Sequence, residues 1–214
     1  MILFVNGDSH SLGAMKPGST GASFVDLVSQ HLDCDVHNLS EAASSAQRIL
    51  RTTKNYIATA SADQLFVLIG WGTWEREEWE HEGKFYNVMP LWYKHLPDAL
   101  QQRYHVWAAG LEPDHVDAKS RQIHEEIFDL HTWLQQQNIP HLFFNCMYNF
   151  FGIQPDQKKD WNNCYIGPYD NDASFYWYLT QKGYDSDKWY HFGPDGHRAW
   201  ADCLISYIQE HKLL

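Results

Sequence analysis

Ser9 follows the apolar run Ile2-Leu3-Phe4-Val5 through a short turn, in the order Asn6-Gly7-Asp8-Ser9-His10-Ser11. A serine on a sharp strand-to-helix turn presents its hydroxyl at the carboxyl edge of a sheet. Backbone N–H groups there are also free to stabilise an oxyanion. Such a serine needs a base. Near the other end of the chain, His191-Phe192-Gly193-Pro194-Asp195-Gly196-His197 offers two imidazoles, with Asp185 and Asp187 just upstream. A hydroxyl, an imidazole and a carboxylate are the parts of acyl transfer through a transiently acylated serine. Gly7-Asp8-Ser9 alone is weak support, because such tripeptides mostly just make turns.

The elements that must position these groups are legible as alternating strands and helices. Ile2 to Val5 reads as a buried strand, and helical spacing follows from Ser19 or Thr20 to Leu32 through Phe24, Leu27, Val28 and His31. Asp35 to Leu39 predicts a second strand and Glu41 to Ala60 a second helix. Leu65-Phe66-Val67-Leu68-Ile69 is a continuous apolar run closed by Gly70, the pattern of a central parallel strand buried on both faces. Further helices are expected from about Met89 to Gln102, over Val116 to Gln137, from Asn171 or Asp172 to Gln181, and from Pro194 to near Lys212. His141 to Asn145 reads as another buried strand, and Met147 to Asp172 as a long loop over the sheet. Strands alternating with helices imply an α/β chain with helices on both faces of a parallel sheet, its ligand site at the strands' carboxyl ends.

At these positions the chain resembles the SGNH/GDSL hydrolases in four blocks, taken in order and spanning its length. The first is the strand followed by Gly7-Asp8-Ser9. The second, Asn-Leu-x-x-x-Gly-x-Ser in the family, reads Asn38-Leu39-Ser40-Glu41-Ala42-Ala43-Ser44-Ser45 here. The third, an apolar strand leading into Gly-x-Asn, reads Phe66 to Ile69 and then Gly70-Trp71-Gly72, with the continuation Thr73-Trp74-Glu75-Arg76 marking a divergent branch. The last is His191 to Ala201. The resemblance implies a single domain over residues 1–214, a three-layer α/β/α sandwich with a parallel, flavodoxin-like sheet, and Ser9 as nucleophile with no cofactor and no metal. It places the base at His191 rather than His197, which falls in the first turn of the last helix with a packing role.

The same resemblance implies an oxyanion hole built from the N–H groups of Ser9 and of position 43 and from a side chain at position 72. Here Ala43 replaces a glycine, acceptable for a backbone donor if its φ stays negative. Gly72 replaces the asparagine, so Thr73 or a backbone N–H of the Gly70–Thr73 turn must stand in. Lys188 occupies the orienting acid's usual place. Asp187, four residues before His191, is the better replacement, with Asp185 or a backbone carbonyl as the alternatives.

Asp8, His10, Gly70, Trp71, Trp74 and Arg76 are the candidate substrate-binding residues. For Trp74 to Glu80 two readings stand side by side: an exposed helix with an Arg76–Glu80 ion pair, or a cleft wall of Trp71, Trp74 and Arg76 stacking on a sugar or gripping a carboxylate. Tyr165, Tyr169, Trp177 and Trp189 are loop aromatics with the same ambiguity. Asp8-Ser9-His10 contains the Asp-x-His of metallophosphoesterases, but the further ligands of that two-metal chemistry are missing. His115, His124 and His131 fall on or near one predicted helix; the last two are too far apart for one ion, and a solvated or partner-facing helix is the expectation.

With 16 basic and 27 acidic residues the net charge is −11, which argues against nucleic acid and for an uncharged or cationic substrate. Ten Trp and 12 Tyr suit wet clefts and interfaces as well as cores. The four cysteines are scattered without metal or redox spacing, and the N-terminal apolar run is too short for a leader or a membrane span. A cytoplasmic protein with reduced thiols and no membrane partner is the expectation. Three functions remain: an esterase removing a small, acetyl-like acyl group, perhaps from a carbohydrate; an acyltransferase on the same scaffold; or a silent binding module.

Overall fold

The computed structural model describes residues 1–61 and 64–214. In chain order its elements are β1 (Ile2–Gly7), α1 (Ser9–Leu12), α2 (Phe24–Leu32), β2 (Asp35–Asn38), α3 (Ala46–Ile57), β3 (Leu65–Trp71), β4 (Glu77–His81), β5 (Lys84–Val88), α4 (Asp98–Ala109), α5 (Pro113–Gln136), β6 (His141–Asn145), α6 (Phe175–Gln181) and α7 (Pro194–Glu210).

Four strands pair in parallel in the order β2-β1-β3-β6. Because side chains alternate along a strand, each sends every second residue to the opposite face. On one face Leu3, Val5, Phe66, Leu68 and Phe144 pack against α2, α6 and α7 through Phe24, Val28, Phe175 and Trp200. On the other, Phe4, Val67, Ile69 and Phe143 meet Ile49 of α3 and Ile123, Ile127 and Leu130 of α5. The result is a three-layer α/β/α sandwich with a flavodoxin-type strand order.

Local chemistry sets where the helices begin. Ser23 and Asp26 form a reciprocal capping box, so α2 starts at Phe24 rather than near Ser19. Ser45 accepts from the Arg48 N–H, so α3 starts at Ala46 and the preceding residues from Glu41 stay a loop. The helix expected from Met89 begins at Asp98 instead, because Pro97 stands at its N-cap and a proline is tolerated at a helix start but not inside one.

The stretch Trp74 to Glu80 is not a helix. Glu77–His81 and Lys84–Val88 form an antiparallel hairpin whose turn places Glu82 and Gly83 at φ 50° and 74°. Two left-handed central residues match the twist of paired strands. Arg51 of α3 forks onto Glu78 of this hairpin, and Lys119 of α5 reaches Glu77. The solvated-helix expectation for α5 also fails, since His124 and His131 are buried. His124 bonds to the Tyr169 hydroxyl and His131 to His141. The long loop after β6 carries the aromatics that cover them. No described helix is long and apolar enough to cross a membrane.

Two glycines bring the first turn onto the sheet. Gly7 and Gly70 are cross-strand neighbours at the ends of β1 and β3. A Cβ on either would collide with the buried Ser11 side chain of α1. The bare backbone lets α1 sit directly on the strand ends, with Ser9 as its first residue.

Candidate active site

Four loops converge at the carboxyl edge of the sheet. They are the β1–α1 turn with Ser9, the β2–α3 loop with Ala43, the segment after β3 with Gly72, and the α6–α7 loop with Asp187 and His191.

His191 Nε2 lies 3.0 Å from Ser9 Oγ. For the hydroxyl to donate, the imidazole must be neutral with its proton on Nδ1. Burial pushes the His191 pKa down, His10 pushes it further, and the Asp187 and Asp8 charges oppose both; the net shift is downward. The ring is therefore ready to accept a proton near neutrality.

Asp187 stands behind the ring, its Oδ2 3.7 Å from His191 Nδ1. That is an ion-pair distance, longer than a hydrogen bond. Its other oxygen, Oδ1, accepts from the N–H groups of Trp189 at 2.8 Å and His191 at 2.9 Å. The backbone closes the same turn: the Asp187 N–H donates to the His191 carbonyl and the Tyr190 N–H to that of Asp187. Tyr190 adopts a left-handed φ of 68°. This bend brings an acid four residues from the histidine into line with its ring. Burial raises the Asp187 pKa, but the two N–H donors and His191 outweigh it and the net shift is downward. Asp185 and Lys188 are exposed.

His197 is buried and serves as a tie. Its Nδ1 accepts from the Phe24 N–H and its Nε2 donates to the Ala14 carbonyl, fastening α7 to the start of α2 and to the turn after α1. Burial pushes its pKa down to about 4, so the neutral form is the one present.

Asp8 is fully buried and touches no solvent. Its Oδ1 accepts from the His10 N–H and Nδ1 at 3.0 and 2.9 Å, and its Oδ2 from Arg76 Nη1 at 3.0 Å. Burial alone would raise its pKa; the His10 and Arg76 partners hold it far below the usual carboxylate range. Asp8 therefore caps α1 and anchors two side chains. His10, also buried, packs edge-on to Phe175 and His191.

Several expected site residues lie elsewhere. Trp71 and Trp74 do not line a cleft: both are core side chains, Trp74 stacking on Phe150 at 4.7 Å and donating to the Asn149 carbonyl. Gly70 is a buried strand residue beneath Ser11. The Thr73 hydroxyl donates to Glu75 Oε1 at 2.6 Å, so its proton is committed. Ala43 does not keep a negative φ; it sits at 63°. The loop needs a left-handed residue there, a conformation that costs an alanine about 1–2 kcal/mol.

Arg76 was expected to pair with Glu80 or grip substrate on a cleft wall, and instead turns inward to Asp8. Among the described residues, Asp8/His10/Cys146 and His131/His141/Cys164 each bring three ligand-type atoms within 4.8 Å. In the first cluster Arg76 already neutralises Asp8. In the second the two imidazoles bond to each other at 2.8 Å, at the opposite edge of the sheet.

No protein-family model and no curated protein matches the chain. Solved structures that resemble it include a member of the lipolytic protein G-D-S-L family from Veillonella parvula, with 13% identity, coverage of 96% of both chains and a TM-score of 0.48. Another is LAE5, an alpha/beta hydrolase enzyme from the metagenome of Lake Arreo, with 11% identity, 96% and 94% coverage and a TM-score of 0.49. A third is a catalytic mutant of Axe2, an acetylxylan esterase from Geobacillus stearothermophilus, with 13% identity, 97% and 93% coverage and a TM-score of 0.45.

Proposed function

We propose that this chain is a serine ester hydrolase of the SGNH/GDSL type. One observation carries the reading: Ser9 Oγ and His191 Nε2 are 3.0 Å apart although 182 residues separate them in sequence. Asp187 behind the ring adds the charge that an imidazolium needs.

In the reaction, Ser9 Oγ attacks the acyl carbonyl while its proton passes to His191 Nε2. The carbonyl pair moves onto oxygen, where the N–H groups of Ser9 and Ala43 stabilise it. Collapse breaks the ester bond, and the leaving alcohol takes the proton from His191. Water then repeats the sequence on the acyl-serine, with His191 again as base, and releases the acid. Nothing in this sequence calls on a metal or a cofactor.

A small acyl group on a carbohydrate is the substrate class that fits best. Trp189 and Tyr190, immediately before His191, are exposed by 61% and 49%. Such rings present an apolar face with a polar tip, the surface on which sugars stack. Hydrolysis of p-nitrophenyl acetate and of acetylated oligosaccharides, compared between wild type and Ser9→Ala, tests the reading. Turnover in the wild type and none in the variant is expected; equal release by both would sink it.

A further inference from the structure

An oxyanion held only by two backbone N–H groups lacks its third donor. Gly72 has no side chain to give, and the Thr73 hydroxyl is spent on Glu75. A Cβ built on Gly72 would lie 2.9 Å from Arg76 Nη1, 3.3 Å from Asp8 Oδ2 and 3.3 Å from the Ser44 carbonyl. The Arg76 guanidinium thus fills the volume a side chain at position 72 would take. It sits between the residue preceding the nucleophile and the residue following Ala43.

Its donors are only partly used. Nη1 binds Asp8 Oδ2 at 3.0 Å and reaches the Ser44 carbonyl at 3.5 Å. Nε is buried without a partner, while Nη2 makes no hydrogen bond to a described residue and is not sealed from solvent. A buried polar group without a partner is costly unless something else completes it. The side chain is 12% exposed, so the guanidinium acts at a local dielectric below that of bulk water. Asp8, ionised and fully buried, fixes the plane of the guanidinium in advance, the preorganisation that makes such donors effective.

We propose that Arg76 supplies the third, charged donor of the oxyanion hole, in place of a side chain at position 72. The proposal rests on the serine hydrolase reading above. As the Ser9 Oγ–carbon bond forms and the Ser9 proton moves to His191, the carbonyl π pair becomes a lone pair on oxygen. A free N–H of Arg76 donates to that oxygen. When the ester carbon–oxygen bond breaks, the pair returns to the carbonyl and Arg76 is released unchanged. The same inward position explains why residue 72 is glycine: any side chain there would displace the guanidinium.

The test is steady-state hydrolysis of p-nitrophenyl acetate by the full chain, with fluorophosphonate labelling of Ser9 and a thermal melt for every variant. Arg76→Ala alone strands a buried Asp8 charge, so the informative variant is Asp8→Asn/Arg76→Met, which removes both charges and the donor together. If Arg76 is a donor, this variant melts cooperatively and still labels at Ser9, but kcat falls about 10²–10³-fold with KM nearly unchanged. Arg76→Lys keeps the charge without the fork and is expected to lose at least about tenfold in kcat. In Arg76→Ala, added guanidinium ion is expected to restore part of the rate, and adding Gly72→Asn to Arg76→Ala to restore more. A folded double variant with wild-type kcat overturns the proposal while leaving Ser9 and His191 intact. Wild-type protein that neither labels at Ser9 nor turns over overturns the hydrolase reading, and this proposal with it.

Discussion

Asp187 keeps Oδ2 facing His191 Nδ1 across 3.7 Å, while its Oδ1 is held by two backbone N–H groups of the same turn. The acid is locked by the loop and addresses the imidazole through space. It orients and steadies the charge without a short hydrogen bond in the resting state.

That geometry separates His191 and Asp187 by the size of their effects. His191→Ala removes the base and is expected to lower kcat by about 10³–10⁴-fold. Asp187→Ala is expected to cost less, about 10–10²-fold, because the ring keeps its hydrogen bond to Ser9. Steady-state kinetics of the two variants side by side checks the ranking.

The pH dependence follows from the same pair. Activity requires neutral His191, whose pKa lies below its ordinary value of 6.5. kcat/KM should therefore rise with pH to a plateau, with an apparent pKa below 6.5. Asp187 favours the imidazolium, so Asp187→Asn should move that apparent pKa further down. A pH–rate profile of both proteins reads the direction.

Stability carries a separate acid limb. His131, His141 and His197 are buried neutral, each with its pKa pushed down to about 4. The unfolded chain binds those protons near pH 6.5 and the folded one resists them. Their contribution is complete above pH 6.5 and is lost as pH falls toward 4. Denaturant melts between pH 7 and pH 4 should show the midpoint falling through that window, and His197→Gln should make the fall shallower.

Ala43 holds a left-handed φ of 63° that alanine tolerates poorly. Ala43→Gly is expected to stabilise the protein by about 1 kcal/mol, after the extra backbone entropy of glycine is subtracted. Trp74→Ala, by contrast, opens a core cavity and should cost about 3–5 kcal/mol. Trp189→Ala, on the exposed turn, should leave the melt in place and raise KM for a carbohydrate ester. Melting curves and KM values distinguish these three.

The layered sheet could be read from the sequence because Leu65 to Ile69 and Leu142 to Phe144 are short, uninterrupted apolar runs, the pattern of strands buried on both faces. Ser9 and His191 were readable for a related reason: each is bound to a backbone feature, a strand end and a helix start, that leaves a mark in the sequence. Arg76 and Trp74 were not, because their direction depends on tertiary partners, Asp8 and Phe150, with no periodic trace. The hairpin from Glu77 to Val88 was hidden by charged residues that suit a helix surface equally well. Only Glu82-Gly83 marked its turn. Ala43 marks another limit: its left-handed φ of 63° is set by the loop, and an alanine there does not announce it.

On the proposed reading, Ser9 is a nucleophile activated by His191. The most direct measurement of this is labelling of the full chain with a fluorophosphonate probe, the modified peptide located by mass spectrometry. A single adduct on Ser9, absent from Ser9→Ala and strongly slowed in His191→Ala, is the predicted result. No adduct on Ser9, or labelling unchanged in His191→Ala, would contradict it.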